Sequence, residues 1–419
     1  MLNTVNYLLW VNLSFWVLFL SLYLSFKSKY LQFRIIKILK SLFKKTKNSG
    51  ITKFQSLMVT LGGKIGVGSI SGVAIAIYYG GPGIIFWMII ISLIISILTY
   101  YEVYLGAIYK EKDQDNIYKG GPSYYIRKGL NNKLLSVIYS ILIIICYNGC
   151  FTSIQSNTLV KMINLNYQIN PLLVGIVMGI ITLIIINRGI KKIALVSNII
   201  VPVMLILYLG FAFLIFCSNL EIINKLVLII VNDAFTIKSF LSSFIPVIIM
   251  SFQRIVFATE SGIGTSSIIA SATNNDPHQQ AYIQLFGVYI TSLIICLSTA
   301  IIILTTDYQH LQINDINGIE LVVYAFKYHF DIYGSIFLIM IVFMFCFSTI
   351  ITGYYNGESC LKSLNVKKYN YLKIVTIIII ILGVIFKSSL LWTIVDFLMG
   401  IILLINCYAI YKLRNAVKE

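Results

Sequence analysis

The sequence predicts an all-α membrane protein of about eleven transmembrane helices, arranged as a five-plus-five inverted repeat behind one extra N-terminal helix. Three observations carry that prediction. Of the 419 residues, 58% are hydrophobic and only 11% are charged, whereas soluble domains run near 25% charged. Basic and base-poor connecting segments alternate along the chain, as cytoplasmic and external loops do. Two apolar stretches are interrupted by glycines and ionisable side chains, and each opens one half of what remains once the first span is set aside.

The first apolar stretch, YLLWVNLSFWVLFLSLYLSF, has no base before it and many after it. A cleaved signal peptide has the reverse polarity, so this is a retained helix with its N-terminus outside. From Lys27 to Lys53 stand nine Lys and Arg and no acid, which places the segment in the cytoplasm. Within it, YLQFRIIKILKSLFKK spaces bases and large apolars at helical intervals, suiting either an amphipathic helix on the inner leaflet or a plain basic linker. Further spans are expected near residues 68, 95, 145, 178, 204, 257, 292, 344, 379 and 400. KEKDQDNIYKGGPSYYIRKGLNNK, NRGIKK, KSLNVKK and the tail KLRNAVKE are basic and belong inside; the loops near 161–169, 218–240 and 306–331 belong outside, with room for short helices at 221–240. The C-terminus is therefore cytoplasmic. The chain divides into 1–53 (extra helix and basic segment), 54–217 (first repeat), 218–412 (external segment and second repeat) and 413–419 (tail). The net charge of +17 follows this topology and does not indicate nucleic acid.

Catalytic and cofactor chemistry is not indicated. His278, His310 and His329 lie in stretches that read as loops, leaving no haem or zinc ligand set in the bilayer. Cys146 and Cys150, one helical turn apart, read as small packing residues. There is no nucleotide loop, no Ser/His/Asp set at membrane depth and no repeated filter, so an enzyme or a pore is disfavoured.

The two interrupted stretches are LGGKIGVGSISGVA, residues 61–74, and FQRIVFATESGIGTSSIIASA, residues 252–272. Ionisable residues at membrane depth cost on the order of 3 kcal/mol each, and the segments carry Lys64, Arg254 and Glu260. Glycine packing at small-xxx-small spacing accounts for Gly62, Gly66, Gly68 and Gly72, but not for Lys64 or Glu260. Irregular backbone at that depth is tolerated where it lines a cavity, and a pair of broken helices in corresponding positions points to a transporter's binding site. Exposed N–H groups suit a carboxylate, and exposed C=O groups a cation.

These residues resemble the alanine/glycine:cation symporters, from about residue 56 to about residue 400. GKIGVGSISGVAIAI, GGPGIIFWM, YYEVYLGAIYK with Glu102, YKGGPSYYIRKGL, the Gln155/Asn157 pair in IQSN, RGIKKIALVSNIIVPVM with Pro202, FATESGIGTSS and FSTIITGYYNGES occur in the family's order. The resemblance implies a LeuT-type fold in the cytoplasmic membrane of a prokaryote, functional as a monomer. It implies symport of a small neutral amino acid such as alanine or glycine, driven by sodium, by alternating access.

The resemblance also implies a site. The substrate would be held among Lys64, Gly66, Gly68, Ser69, Gln155, Asn157, Phe257, Thr259, Glu260, Gly262, Thr349 and Gly353. Sodium would sit at Gly62, Ile65, Ser348 and Thr349. Glu102 and Arg254 would form structural or gating ion pairs. This chain departs from the family's usual Thr at Lys64, Asn at Ser69 and Thr259, and a bulkier residue at Gly353; the last implies a substrate somewhat larger than alanine. For Lys64 three roles stay open: an ammonium replacing a bound cation, giving sodium-independent or proton-coupled transport; a partner of the substrate carboxylate or of Glu260; or a side chain that snorkels to water. A non-transporting amino-acid sensor is the alternative of another class.

Overall fold

The computed structural model describes residues 2–44, 51–113, 117–235, 244–307, 318–366 and 370–418. In chain order the helices are α1 (Leu2–Lys27), α2 (Ile35–Phe43), α3 (Lys53–Lys64), α4 (Val67–Gly80), α5 (Ile84–Ile108), α6 (Pro122–Gly129), α7 (Lys133–Ile143), α8 (Thr152–Asn164), α9 (Pro171–Ile186), α10 (Gly189–Ser218), α11 (Leu220–Phe235), α12 (Ile245–Thr259), α13 (Thr265–Ala270), α14 (Pro277–Tyr289), α15 (Leu297–Leu304), α16 (Ile319–Ser363), α17 (Tyr371–Gly383) and α18 (Ser388–Leu413). The strands among the described residues are β1 (Glu111–Lys112) and β2 (Tyr118–Lys119), paired antiparallel. Wide turns of π-helix, Ile144–Phe151 and Ile290–Cys296, join α7 to α8 and α14 to α15.

Among the described residues, eight helical segments are long and apolar enough to cross a membrane: α1, the α3–α4 pair, α5, the α7–α8 run, α10, the α14–α15 run, α16 and α18. They make this a multi-pass membrane protein. By length, eight of the expected eleven or so are found among the described residues. Helices α9, α12 and α17 are apolar but shorter, and they stand where the spans near 178, 257 and 379 are expected. Helix α12 is short because it stops at Thr259, where the chain unwinds.

Burial places the first broken helix at the centre. Its most apolar window is 94% buried, against 28% for α10, which lies at the periphery. Helix α5 packs on α12, α13 and α14, and α16 packs on α3, α4 and α8, so both carry side chains into the middle.

Several expectations need correction. The base-poor stretch 306–331 is not all loop: α16 begins at Ile319 and kinks at Phe330 and Asp331, where Asp331 adopts φ 51°. The run IELVVYAF supplies enough apolar surface to hold a helix there. His278 lies in the first turn of α14, capped by Asp276, and its Nδ1 is 2.6 Å from the Tyr100 hydroxyl; His329 lies in α16. His310 is outside the described residues. The basic segment forms a helix, α2, which buries Ile38 and Ser41 and leaves Ile35, Ile36 and Phe43 exposed. Helix α11 occupies most of 221–240; residues 236–240 are outside the described part. All seven cysteines are free thiols.

Candidate functional site

Helix α3 opens with a capping box in which Thr52 and Gln55 each accept the other's backbone N–H. It winds to Lys64. Ile65 then leaves the helix at ψ 75°, and Gly66 is extended at φ −123°, ψ −154° before α4 restarts at Val67. The glycines here permit close approach. A Cβ on Gly62 would lie 3.1 Å from Ser348 Cβ and from Val201 Cγ2, one on Gly66 would lie 2.5 Å from Thr349 Oγ1, and one on Gly68 would enter the Phe257 ring.

The Gly62 carbonyl accepts hydrogen bonds from Ser348 Oγ and Thr349 Oγ1, each at 3.0 Å. Both hydroxyls also reach the Phe345 carbonyl. Each has a single proton, so each keeps lone-pair capacity. The turn at Ile65 takes its carbonyl out of the regular ladder. A carbonyl and two hydroxyls, buried and uncharged, are the hard oxygen ligands that suit an alkali cation. Across the break, Val67 N–H donates to Gln155 Oε1 at 3.2 Å. Gln155 Nε2 is buried and has no hydrogen-bond partner among the described residues. That amide beside a restarting helix N-terminus is carboxylate-binding chemistry.

The second break is wider. Glu260 stands at φ 51°, ψ 21°, Gly262 at φ 84° and Gly264 at φ 103°. These are left-handed values that glycine adopts freely and glutamate does not. Side chains from other helices hold the loop: Asn406 Nδ2 donates to the Gly262 carbonyl at 2.8 Å, Tyr139 Oη donates to the Ile263 carbonyl at 2.8 Å, and Thr99 Oγ1 donates to Ser261 Oγ at 3.0 Å.

Three buried ionisable residues stand between the breaks. Lys64 interacts electrostatically with Glu102 and Glu260, yet its Nζ has no hydrogen-bond partner among the described residues. Glu102 Oε2 accepts from Asn406 Nδ2 at 3.1 Å and Glu260 Oε2 accepts from Thr265 Oγ1 at 2.6 Å. The other oxygen of each carboxylate has no hydrogen-bond partner among the described residues. Lys64 is only 2% exposed, so it does not snorkel to water.

Rings stacked face to face or at a tilt separate this region from the other side. Tyr147, Phe151, Phe257 and Trp392 follow one another at centroid distances of 5.1, 4.9 and 4.8 Å. The Arg254 guanidinium lies 5.4 Å from the Trp392 ring and pairs with Asp396 at 2.7 Å. Beyond Trp392 opens a cavity of about 690 Å³, lined also by Ser71, Asn157, Lys161 and Lys387.

Of the expected site residues, Gly62, Lys64, Ile65, Gly66, Gly68, Gln155, Phe257, Ser348 and Thr349 gather at the first break, and Glu260 reaches toward Lys64. Ser69 Oγ donates to the Gly66 carbonyl at 3.0 Å, bracing the restart of α4. Four do not join them. Asn157 Nδ2 donates to the carbonyls of Gly383, Val384 and Phe386, bracing the end of α17, where the chain leaves the helix. Thr259 Oγ1 bonds back to the Ile255 carbonyl. Gly262 faces Leu98, Leu403 and Cys407. Gly353 borders the π-helical turn, where a Cβ would meet the Tyr147 carbonyl oxygen at an ordinary contact distance of 3.4 Å. Asn406, Tyr139, Asp396 and Trp392 belong to the region without a sequence signal, since each is a lone polar or aromatic residue in an apolar helix.

The sequence profile of the sodium:alanine symporter family matches residues 1–419. The chain is 35% identical to the probable sodium/glutamine symporter GlnT of Bacillus subtilis (strain 168), over 98% of this chain and 87% of that one. It is 30% identical to the amino-acid carrier protein AlsT of the same organism, over 99% and 90%. It is 29% identical to the sodium/alanine symporter AgcS of Methanococcus maripaludis, over 100% and 95%. A solved Na+-coupled sialic acid symporter, in a substrate-bound outward-open state, shares the fold with a TM-score of 0.53 at 15% identity, covering 97% of this chain and 86% of that one. These relatives are transporters, not enzymes, and this chain belongs to the sodium:alanine symporter family.

Proposed function

We infer that the protein is a sodium-coupled symporter of a small neutral amino acid, working by alternating access as a monomer in a prokaryotic cytoplasmic membrane, N-terminus outside. The observation that carries this reading is the meeting of Gly62, Ser348 and Thr349 oxygens at a break in a buried helix, beside Gln155, whose Nε2 has no partner among the described residues. Gly62, Ile65, Ser348 and Thr349 would hold sodium, which supplies a positive charge next to the substrate carboxylate. Gln155 Nε2 and the first N–H groups of α4 orient that carboxylate. Phe257 and Trp392 exclude water from the side of the large cavity, and the Arg254–Asp396 pair stays neutral while they do so.

Small size is supported by the close packing of Phe257 on Gly68. Alanine and glycine are the first substrates to try, and glutamine follows from the printed name of one relative. In this reading α1 stands outside two five-helix repeats, 54–217 and 218–412, with α9, α12 and α17 completing the LeuT-type set of about eleven. The test is sodium-dependent thermal stabilisation of the purified protein, with and without alanine. Stabilisation by sodium over potassium, lost in Ser348→Ala/Thr349→Val, is expected. Equal stabilisation by the two ions would remove the sodium site.

A further inference from the structure

A second cavity, of about 300 Å³, lies where β2, the α9–α10 turn, α16 and the start of α17 meet. None of the residues assigned above to substrate or sodium lines it, and the mechanism does not use it. Five basic side chains line it, Lys119, Arg188, Lys191, Lys362 and Lys373, against one carboxylate, Glu358. Part of that charge is spoken for. Lys362 pairs with Asp113 at 2.7 Å and Glu358 at 3.4 Å, and Lys119 lies 3.9 Å from Glu358. Arg188, Lys191 and Lys373 face no carboxylate within ion-pair distance among the described residues, and Lys373 Nζ donates to Asn187 Oδ1 at 3.1 Å. The first turn of α10 opens into the same cavity, with no side-chain cap, and adds the positive end of a long helix.

Positive-inside topology accounts for basic loops. It does not account for their convergence from four separate elements on one concavity. A concave set of cations that has excess positive charge is a receptor for a multiply oxygenated anion, and a phosphate is the anion whose geometry such side chains match. The neighbouring surface indicates what carries the phosphate. Helices α9 and α17 pack together and expose Ile180, Ile184, Ile374 and Ile378 on the turns that adjoin the lining residues Ile186 and Lys373. Apolar side chains beside a basic pocket at the membrane edge match an acyl chain beside its headgroup.

We propose that this cavity, framed by Arg188, Lys191 and Lys373, binds the phosphate headgroup of an anionic phospholipid whose acyl chains lie along α9 and α17. The bound headgroup bridges α10 to α17 and holds their cytoplasmic ends together.

The test is intact-complex mass spectrometry of the full-length protein, titrated with phosphatidylglycerol, phosphatidylcholine or inorganic phosphate. Phosphatidylglycerol is expected to fill one high-affinity site, with phosphatidylcholine at least about tenfold weaker. The variant Arg188→Gln/Lys191→Gln/Lys373→Gln should weaken phosphatidylglycerol binding on the order of 100-fold, about fivefold for each cation removed. Where the triple variant does not fold, Arg188→Gln alone, an exposed side chain, should show the single fivefold loss. Equal binding of the two lipids, or unchanged phosphatidylglycerol binding in the variants, overturns the proposal. Inorganic phosphate that fills the site and is not displaced by phosphatidylglycerol overturns the lipid as its source.

Discussion

Replacing Gly66 by alanine tests the geometry of the first break at a single atom. The added Cβ would lie 2.5 Å from Thr349 Oγ1, 3.2 Å from Gln155 Oε1 and 3.3 Å from Thr349 Cβ, where ordinary contact begins at 3.4 Å. Overpacking of this kind costs about 1–3 kcal/mol. Relief requires Thr349 to rotate away from the Gly62 carbonyl, or Gln155 to leave Val67 N–H. The first displaces an oxygen assigned to the cation, and the second misplaces the amide assigned to the carboxylate. A hydrogen bond or dipole contact to a charged group contributes about 1.5–3 kcal/mol, so the half-saturating sodium concentration should rise roughly 10- to 100-fold. The assay is sodium activation of labelled alanine uptake into proteoliposomes. Gly72→Ala is the control, because a Cβ there meets nothing within 4 Å. Unchanged sodium activation in Gly66→Ala, or equal damage in Gly72→Ala, would refute the reasoning.

Asn157→Ala should lower stability by roughly 1–3 kcal/mol, since the carbonyls at the end of α17 lose the side-chain amide that donates to them, while the apparent alanine affinity stays unchanged; unfolding in detergent and uptake kinetics separate the two effects. Arg254→Met leaves the buried Asp396 carboxylate without its partner and should cost about 3–5 kcal/mol, with much of the loss recovered in Arg254→Met/Asp396→Leu; thermal unfolding of the two variants gives the comparison. Lys64→Thr should leave the fold intact but change the ion dependence of transport, and unchanged dependence on sodium and on proton gradients would assign Lys64 a packing role only. Glu111 is partly buried, which opposes its charge, but hydrogen bonds and charge from Lys128 and Arg127 hold its carboxyl below the usual range of 4.5. A depressed folded value means this contribution is complete above about 4.5 and fades as pH falls through the lower folded value. Stability profiles of the wild type and Glu111→Gln should therefore converge in acid and separate modestly above it.

Both helix breaks were legible because their cause is local. Gly62, Gly66 and Gly68 stand beside Lys64, and Glu260 stands beside Gly262 and Gly264, so the conflict with lipid is visible within fourteen residues. The resemblance brought Ser348 and Thr349 to Gly62 across 286 residues of chain, a contact that no local pattern encodes. What was not legible depends on partners far apart. Asp396 meets Arg254 across 142 positions, and nothing in DFLMG announces it. Asn157 could donate to a ligand or to a helix end with the same amide, and only the position of Gly383 decides. Gly353 could border a pocket or a neighbouring helix, and only its place against the Tyr147 backbone shows which atoms it meets. The helix at the start of α16 is not legible because few bases and several acids mark an external segment whether it is loop or helix. His278 was misplaced for a related reason: Asn-Asp-Pro marks a turn, but it also starts a helix.

The central claim is that sodium entry drives amino-acid entry through the site at the first break. The most direct measurement is labelled alanine uptake by purified protein in proteoliposomes under an imposed inward sodium gradient, an inward proton gradient, or neither. Accumulation above equilibrium under the sodium gradient alone, abolished in Ser348→Ala/Thr349→Val, is the predicted result. Accumulation that ignores sodium, or that survives the double variant with unchanged sodium dependence, would contradict it.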